Sequence, residues 1–248
     1  MDGTGPVGKG YVIAGQRRAG LLGCAVFDLD GTLVEFPHEW IRRAKACTVE
    51  KLIDAGFKVP DVPLTRPLSE IMGRMVSLNG PGSEDEIYRI VDSTFREFEL
   101  RAAMEARVRE GAAELLESVR REARVAVATN NSREAALRSL QVAGLSGYVS
   151  VVVSRDEVDR MKPDPQMVIK AVRECRSPLN GAVHVGDSYV DVVAARSTGV
   201  LSIAVLGGVS NLEELVRHRP HIIARDLNEV RMTLESMMLG RRPLVRSG

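Results

Sequence analysis

Between about residue 111 and residue 238, short apolar segments alternate with amphipathic segments of helical length. The apolar segments, which we predict to be strands, cover residues 124–128, 149–153, 182–185, 202–205 and 222–224. Strands that alternate with helices form a parallel sheet covered by helices. Residues 22–27 add one upstream apolar run that is typical of a buried central strand. The sequence therefore predicts an α/β fold with a Rossmann-like parallel sheet core and helices on both faces.

The segment between the first strand and residue 109 differs because it is predicted to be helical throughout. Helices are predicted over residues 39–56, 68–78 and 84–107, and Ser83 with Glu86 has the spacing of a capping box. We therefore predict a core of residues 21–35 and 109–240, an inserted all-α domain of residues 36–108, and flexible tails of residues 1–20 and 241–248.

Charge and cysteine content narrow the classes of partner. The 34 basic and 33 acidic residues give a net charge of +1, which offers no electrostatic reason to bind nucleic acid or an anionic membrane. The three cysteines are widely spaced, as expected for free thiols in a reducing cytoplasm. No apolar run approaches the roughly 18 residues of a membrane span. We expect a cytoplasmic monomer or homodimer without nucleic-acid or membrane partners.

Polar side chains lie at the carboxyl ends of several predicted strands. Ligands of open α/β sheets bind at the carboxyl ends of the strands, so these positions are candidates for a functional site. Lys162 lies in a loop before a predicted helix. The others are Asp28 and Asp30 after the first strand, Thr129, Asn130 and Asn131 after the next, and Gly186, Asp187 and Asp191 near a later one.

Asp28 and Asp30 are two residues apart, so in an extended segment they project to the same side. Two close carboxylates repel each other unless a cation or a shared proton offsets their charge, and magnesium favours oxygen ligands. A carboxylate beside magnesium can attack phosphorus while a neighbouring carboxyl transfers protons. An ordinary turn is the alternative. A calcium loop is excluded because Leu33 and Glu35 do not continue its ligand pattern.

The other strand-end residues each have a functional and a structural interpretation. The Thr129 hydroxyl and the Asn130 amide could bind a phosphoryl oxygen, but residues at this position also precede or cap a helix. Lys162 precedes a proline, which holds its backbone extended, although a lone lysine usually lies on the surface. Asp187 and Asp191 could face one ion or could simply stabilise a helix N-terminus.

Taken together, these groups resemble the four motifs of the haloacid dehalogenase (HAD) superfamily. The matching segments, in the order of that superfamily, are DLDGTL at 28–33, VAVATN at 125–130, KPDP at 162–165 and VGDSYVD at 185–191. The helical segment after the first motif is similar to the small cap of the phosphoglycolate-phosphatase-like subgroup. Four ordered motifs form a more specific match than any one of them.

The resemblance implies a Mg²⁺-dependent phosphatase that hydrolyses a small phosphorylated metabolite, with phosphoglycolate as the default substrate. Asp28 would attack the phosphoryl group, form an aspartyl-phosphate and bind the metal ion. Asp30 would act as general acid and base, and its main-chain carbonyl would also touch the metal ion.

The remaining motif residues would hold the phosphoryl group and the metal ion. Thr129, Asn130 and Lys162 would bind the phosphoryl group, and Lys162 would also restrain the carboxylate of the nucleophile. Asp187 would complete the magnesium shell, with Asp191 acting on the metal ion directly or through water.

Other activities within the superfamily are alternatives. Asp30 disfavours dehalogenases, which lack this aspartate, and phosphonoacetaldehyde hydrolases, which carry a small residue there and need a cap lysine. A sugar phosphomutase of the β-phosphoglucomutase type is the stronger rival, but Thr32 follows the phosphatase pattern and His38 is offset from the cap-hinge histidine of those enzymes. A non-catalytic relative that keeps the fold is disfavoured by the intact motifs.

Overall fold

The computed structural model describes residues 11–12, 22–35, 38–61 and 68–239. The strands in these ranges are β1 (Tyr11–Val12), β2 (Cys24–Phe27), β3 (Arg124–Ala128), β4 (Val151–Val153), β5 (Ala182–Gly186), β6 (Leu201–Val205) and β7 (Ile222–Ala224). They form one seven-stranded sheet in the order β1-β7-β6-β5-β2-β3-β4. Strands β2 to β7 are parallel, and β1 runs antiparallel to β7. The predicted parallel core is confirmed.

Helices flank the sheet and occupy the segment between β2 and β3. They are α1 (His38–Asp54), α2 (Leu68–Asn79), α3 (Glu84–Met104), α4 (Ala112–Val119), α5 (Arg133–Val142), α6 (Gln166–Glu174), α7 (Tyr189–Thr198), α8 (Leu212–Arg217) and α9 (Leu227–Met238). Among the helices of the described ranges, none has both the length and the apolarity needed to cross a bilayer.

Strand β2 pairs with β3 and β5 along its two edges, and helices cover both of its faces. Successive side chains of a strand point to opposite faces. Phe27 packs with Leu115 in one apolar cluster, whereas Val26 packs with Met167 in the cluster on the other face. The strand therefore places Asp28, the next residue, at the centre of the carboxyl edge.

The prediction of a flexible tail over residues 1–20 is wrong at Tyr11 and Val12, which pair with Ile223 and Ile222 of β7. Strand β7 would otherwise lie at the sheet edge with unpaired backbone groups, and such an edge readily accepts another strand. The rest of the two predicted tails, residues 1–10, 13–20 and 241–248, lies outside the described residues.

The predicted capping box at the start of α3 is also wrong. The backbone of Ser83 is already helical, with φ −92° and ψ −10°, and its side chain accepts no capping hydrogen bond. The hydroxyl instead donates to the carbonyl oxygen of Gly80 at 2.6 Å. Acidic residues in the first turn of α3 stabilise the positive end of the helix in its place.

Helices α1, α2 and α3 share an apolar cluster of their own, and we refer to residues 38–61 and 68–104 as the helical insert. Ala44, Leu52 and Phe95 are buried in this cluster, which shares no buried residue with the clusters that flank the sheet. The insert thus has the core that a distinct domain needs. The predicted domain boundaries at residues 36 and 108 stay a prediction.

Candidate active site

Asp28, Thr129 and Asp187 each follow the last residue of a strand, β2, β3 and β5 respectively. These strands are neighbours in the sheet, so their carboxyl ends meet at one edge. The exposed fraction is 8% for Asp28, 2% for Thr129 and 1% for Asp187. The parallel sheet therefore brings these three side chains into one buried group.

Lys162 lies within this group and uses all three of its ammonium donors. Its Nζ donates to Asp28 Oδ1 at 2.6 Å, to Asp191 Oδ1 at 2.7 Å and to the carbonyl oxygen of Ala128 at 2.8 Å. Such a buried ammonium is tolerated because two carboxylates offset its charge and three acceptors satisfy its donors. A phosphoryl oxygen would have to replace one of these acceptors, so direct binding of the phosphoryl group by Lys162 stays a prediction.

Asn130 fixes the backbone of that lysine. Its Oδ1 accepts a hydrogen bond from Lys162 N and its Nδ2 donates to Lys162 O, both at 3.0 Å. The side chain thereby positions Lys162, and the predicted contact of Asn130 with phosphate stays a prediction. Thr129 Oγ1 accepts from the N–H of Asn131 at 3.2 Å, which leaves the hydroxyl hydrogen to be donated to another oxygen.

Asp28, Asp187 and Asp191 form a candidate metal centre. One carboxylate oxygen from each lies within 4.8 Å of the other two, and all three residues are buried. Thr32 Oγ1 donates to Asp187 Oδ1 at 3.0 Å, and the N–H of Val209 donates to Asp187 Oδ2 at 2.6 Å. A set of charged oxygen donors suits Mg²⁺, so the residues present fit the predicted ion.

Two glycines let the backbone approach Asp187 closely. A Cβ atom at Gly208 would lie 2.0 Å from Asp187 Oδ2, and one at Gly31 would lie 2.5 Å from the same atom. Gly31 also has a φ of +86°, a left-handed conformation that residues with a side chain rarely adopt. Both positions therefore need glycine for this carboxylate to keep its place.

Burial and neighbouring charges shift the pKa values of the three clustered acids in different directions. Desolvation, together with the charges of Asp28 and Asp191, raises the pKa of Asp187 well above its usual value. Desolvation also raises the pKa of Asp28, although Lys162 partly opposes it. For Asp191, desolvation is outweighed by Lys162 and His184, which lower the pKa to about 2. A divalent cation would relieve the repulsion, so the electrostatics also fit a metal ion.

Asp30 lies in the wall of the site cavity, where Asn131 Nδ2 donates to its Oδ2 at 2.7 Å. Desolvation and the charge of Asp28 raise the pKa of Asp30 to about 7. Near neutral pH the carboxyl is therefore divided between its two protonation states, as a group that gives and takes a proton requires. Its side chain is not one of the three converging carboxylates, and the predicted metal contact through its main-chain carbonyl stays a prediction.

A cavity of about 620 Å³ lies between the helical insert and the strand ends. Small-molecule sites usually have volumes of roughly 300–1,000 Å³, so the cavity can hold more than a phosphoryl group. The core side of the cavity includes Asp28, Asp30, Thr129, Lys162 and Asp187, and the insert side includes His38, Ile41, Arg42, Lys45 and Phe95.

Two further residues brace the site and were not identified from the sequence. The Arg109 guanidinium donates to the carbonyl oxygens of Gly31 and Leu206, so it ties the turn after β2 to the loop after β6. His184 Nε2 lies 3.3 Å from Asp191 Oδ1 in the buried interior. The contacts of Arg109 join residues far apart in the chain, and His184 and Asp191 lie on different elements. No local sequence spacing indicates these contacts.

A buried ion pair joins α3 of the helical insert to the core. Arg155 Nη1, just after β4, lies 2.5 Å from Glu99 Oε1 on α3, and the two side chains are 9% and 3% exposed. Glu99 Oε2 accepts from the N–H of Ser132 at 3.0 Å. The pair therefore braces the 130–132 loop, in which Asn131 donates to Asp30.

We expect Arg155→Met to lower the free energy of unfolding by about 2 kcal/mol, because Glu99 stays buried while losing a charge-assisted hydrogen bond. The matched control is Arg101→Met, which removes an exposed pair with Glu97 at 2.6 Å and should cost less than about 1 kcal/mol. Urea denaturation measures both variants. Equal losses would contradict a special contribution of the buried pair.

A match to the family of haloacid dehalogenase-like hydrolases covers residues 25–205. This range includes all the site residues predicted from the sequence. A relative named "Putative pyrophosphatase PpaX", from Caldanaerobacter subterraneus subsp. tengcongensis, is 31% identical over 204 residues. The alignment covers 82% of this chain and 90% of that relative.

Solved structures share the fold. A predicted phosphatase from Clostridium acetobutylicum aligns with a TM-score of 0.70 and 22% identity, over 86% of this chain and 97% of that chain. A predicted phosphoglycolate phosphatase from Haemophilus somnus 129PT aligns with a TM-score of 0.62 and 19% identity, over 84% of this chain and 96% of that chain. With the site geometry, the match over residues 25–205 and the relative at 31% identity show that the chain belongs to the haloacid dehalogenase-like hydrolase family, as an enzyme of the phosphatase type.

Proposed function

We propose that the protein is a Mg²⁺-dependent phosphatase that hydrolyses a small phosphorylated metabolite through an aspartyl-phosphate on Asp28. The observation that carries this proposal is the setting of Asp28. Lys162 holds its carboxylate at 2.6 Å, the carboxylates of Asp187 and Asp191 converge on it, and a cavity with room for a small molecule opens beside it. Bound Mg²⁺ would neutralise charge on the phosphoryl oxygens.

In the first step, a carboxylate oxygen of Asp28 attacks phosphorus while the bond from phosphorus to the leaving oxygen breaks. Asp30, in its protonated form, gives its proton to that oxygen, so the product leaves as a neutral hydroxyl. A pKa of about 7 makes the protonated form of Asp30 accessible near neutral pH. The Thr129 hydroxyl would donate to a phosphoryl oxygen.

In the second step, water attacks the phosphorus of the aspartyl-phosphate, and ionised Asp30 accepts a proton from that water. The bond between phosphorus and Asp28 breaks, which releases inorganic phosphate and restores the carboxylate. Asn131 Nδ2, at 2.7 Å from Asp30 Oδ2, orients the carboxyl in both steps. Lys162 stays paired with Asp191 at 2.7 Å and so keeps its charge beside the nucleophile.

We assign the helical insert the role of a cap. It has its own apolar cluster, and residues of α1 and α3 form the wall of the cavity opposite Asp28. A wall in this position excludes bulk water from the reaction and sets the shape that a substrate must fit.

Phosphoglycolate and similar small phosphates are the proposed substrates. Pyrophosphate is a second candidate, because the relative from Caldanaerobacter subterraneus is named a pyrophosphatase. The test is a screen of p-nitrophenyl phosphate, phosphoglycolate, pyrophosphate and hexose phosphates with purified protein. We expect phosphate release that needs Mg²⁺ and stops with EDTA. Failure to release phosphate from any of them, or conversion of a hexose phosphate into its isomer with little free phosphate, would overturn the proposal.

We expect Mg²⁺ to raise the melting temperature, because the ion offsets the repulsion among Asp28, Asp187 and Asp191. At a concentration 100-fold above Kd, binding stabilises the fold by about 2.7 kcal/mol, or a rise of about 5–10 °C for a chain of this size. Differential scanning fluorimetry with and without EDTA measures the shift. Asp187→Asn should remove most of it, whereas Asp159→Asn, at an exposed position, should keep it. An unchanged shift in Asp187→Asn would argue against this metal centre.

A further inference from the structure

Lys45 is a second buried lysine of the site cavity, and the proposed reaction steps do not use it. It lies on α1, is 7% exposed, and lines the same cavity as Asp28 and Lys162. Burial lowers its pKa to about 8, because desolvation disfavours the charged form. A cation held in such a place is stabilised when an anion binds next to it.

The residues of α1 that line the cavity follow one another with helical spacing. His38, Ile41, Arg42 and Lys45 are offset by three, four and seven residues and all line the cavity. The Arg42 side chain is 67% exposed and pairs with Glu39 at 2.9 Å, whereas Lys45 is 7% exposed. Lys45 is therefore the deeply placed cation on this face.

Two other charged groups of the cavity wall have close charged partners. Lys162 uses its three donors on Asp28, Asp191 and the carbonyl oxygen of Ala128. Glu99, an acid in the insert wall, is paired with Arg155 at 2.5 Å. The charge of Lys45, buried on the insert wall of the same cavity, is complementary to an anionic group of the substrate beyond the scissile phosphate.

We propose that Lys45 binds a second anionic group of the substrate, a carboxylate or phosphate on the leaving portion. The enzyme then selects substrates with two anionic groups over neutral sugar phosphates and aryl phosphates. The cavity, at about 620 Å³, has room for such a substrate. This inference rests on the proposed phosphatase function and narrows its substrate class.

The test compares kcat/KM of wild type, Lys45→Met and Lys45→Arg for phosphoglycolate, pyrophosphate and p-nitrophenyl phosphate. Removing a desolvated partner of a charge pair typically costs a factor of about 30 or more, so we expect Lys45→Met to lose about 30-fold on the preferred two-anion substrate. That loss should appear mainly in KM and exceed the loss on p-nitrophenyl phosphate at least tenfold. Lys45→Arg should restore part of the selectivity.

The matched control is Lys51→Met, which removes an exposed lysine of the same helix whose Nζ donates to Thr94 Oγ1 at 3.2 Å. It should leave the ratio between substrates unchanged. A second readout is inhibition of p-nitrophenyl phosphate hydrolysis by methylenediphosphonate, a pyrophosphate analogue that resists hydrolysis. Its inhibition constant should rise about tenfold more in Lys45→Met than that of inorganic phosphate.

The outcomes separate this inference from the proposed function. A loss confined to phosphoglycolate assigns a carboxylate as the second anion, and one confined to pyrophosphate assigns a phosphate. Equal losses on all substrates and inhibitors, or no loss, would overturn the assignment of Lys45. A wild type that hydrolyses p-nitrophenyl phosphate but neither two-anion substrate would overturn the inference while the phosphatase function stands. A wild type that hydrolyses none would overturn both.

Discussion

Replacement of Asp28 by asparagine is expected to reduce Mg²⁺-dependent phosphate release by at least about 10³-fold, since removal of a covalent nucleophile eliminates the catalysed route. The amide has nearly the same shape as the carboxylate but is a far weaker nucleophile. The variant should stay folded, because the amide oxygen can still accept from Lys162 Nζ and Asp191 still offsets the charge of that lysine at 2.7 Å. Steady-state kinetics with p-nitrophenyl phosphate and a thermal melt of the same sample measure both properties.

Asp159→Asn is the control for the Asp28→Asn experiment, because it removes one carboxylate from an exposed position outside the cavity. It should retain wild-type rates. A folded Asp28→Asn variant with more than about a tenth of wild-type activity would rule out an aspartyl-phosphate on Asp28 as the main route. Loss of activity together with an unfolded protein would instead contradict the expectation that the neutral side chain fits.

Replacement of Lys162 by methionine is expected to lower both stability and activity. Removing one partner of a buried ion pair leaves an uncompensated charge and typically costs about 3–5 kcal/mol. Here Asp28 and Asp191 would both lose their contacts with Nζ, at 2.6 and 2.7 Å. Urea denaturation measures the change in free energy of unfolding. EDTA is present because bound Mg²⁺ could replace part of the missing charge. Activity should fall as well, since the carboxylate of the nucleophile is no longer held.

The stability lost in Lys162→Met should depend on pH in a direction that the pKa of Asp191 predicts. In wild type the pKa of Asp191 is lowered from 3.8 to about 2, with Lys162 outweighing desolvation. A lowered folded-state pKa stabilises the fold above the unfolded pKa, and that stabilisation disappears as pH falls through the folded value. The difference in free energy of unfolding between wild type and Lys162→Met should therefore have its full value near pH 7 and decrease between about pH 4 and pH 2.

Lys170→Met is the matched control for Lys162→Met. Lys170 lies on α6, and its side chain is 39% exposed and lies 3.5 Å from Glu174. Exposed pairs of this kind contribute less than about 1 kcal/mol, so the control should remain close to wild type. If the two variants lost equal stability, the buried contacts of Lys162 would not be a major source of stability.

Much of the core could be predicted because local sequence encodes buried strands. The apolar runs at 124–128 and 182–185 are observed as Arg124–Ala128 and Ala182–Gly186. The run at 149–153 forms a strand only from Val151, which pairs with Ala126 of β3, while residues 146–148 form a short 3₁₀ helix. Strand β3 begins at Arg124 and so extends further than β4 does. The 3₁₀ turn takes up the chain to Tyr148, and the paired strand begins after it.

By itself, the sequence determined the parallel α/β core and the position of Asp28 at the end of its central strand, because apolar patterning and acidic strand ends are local properties. The family resemblance implied the contact of Lys162 with Asp28, but only the tertiary structure decided that the same Nζ also contacts Asp191 and that Asn130 holds the backbone of Lys162. It also decided which lysine of α1 is buried, since Lys45 and Lys51 look alike in sequence. Such contacts depend on how separate elements pack, and packing is set by residues distant along the chain.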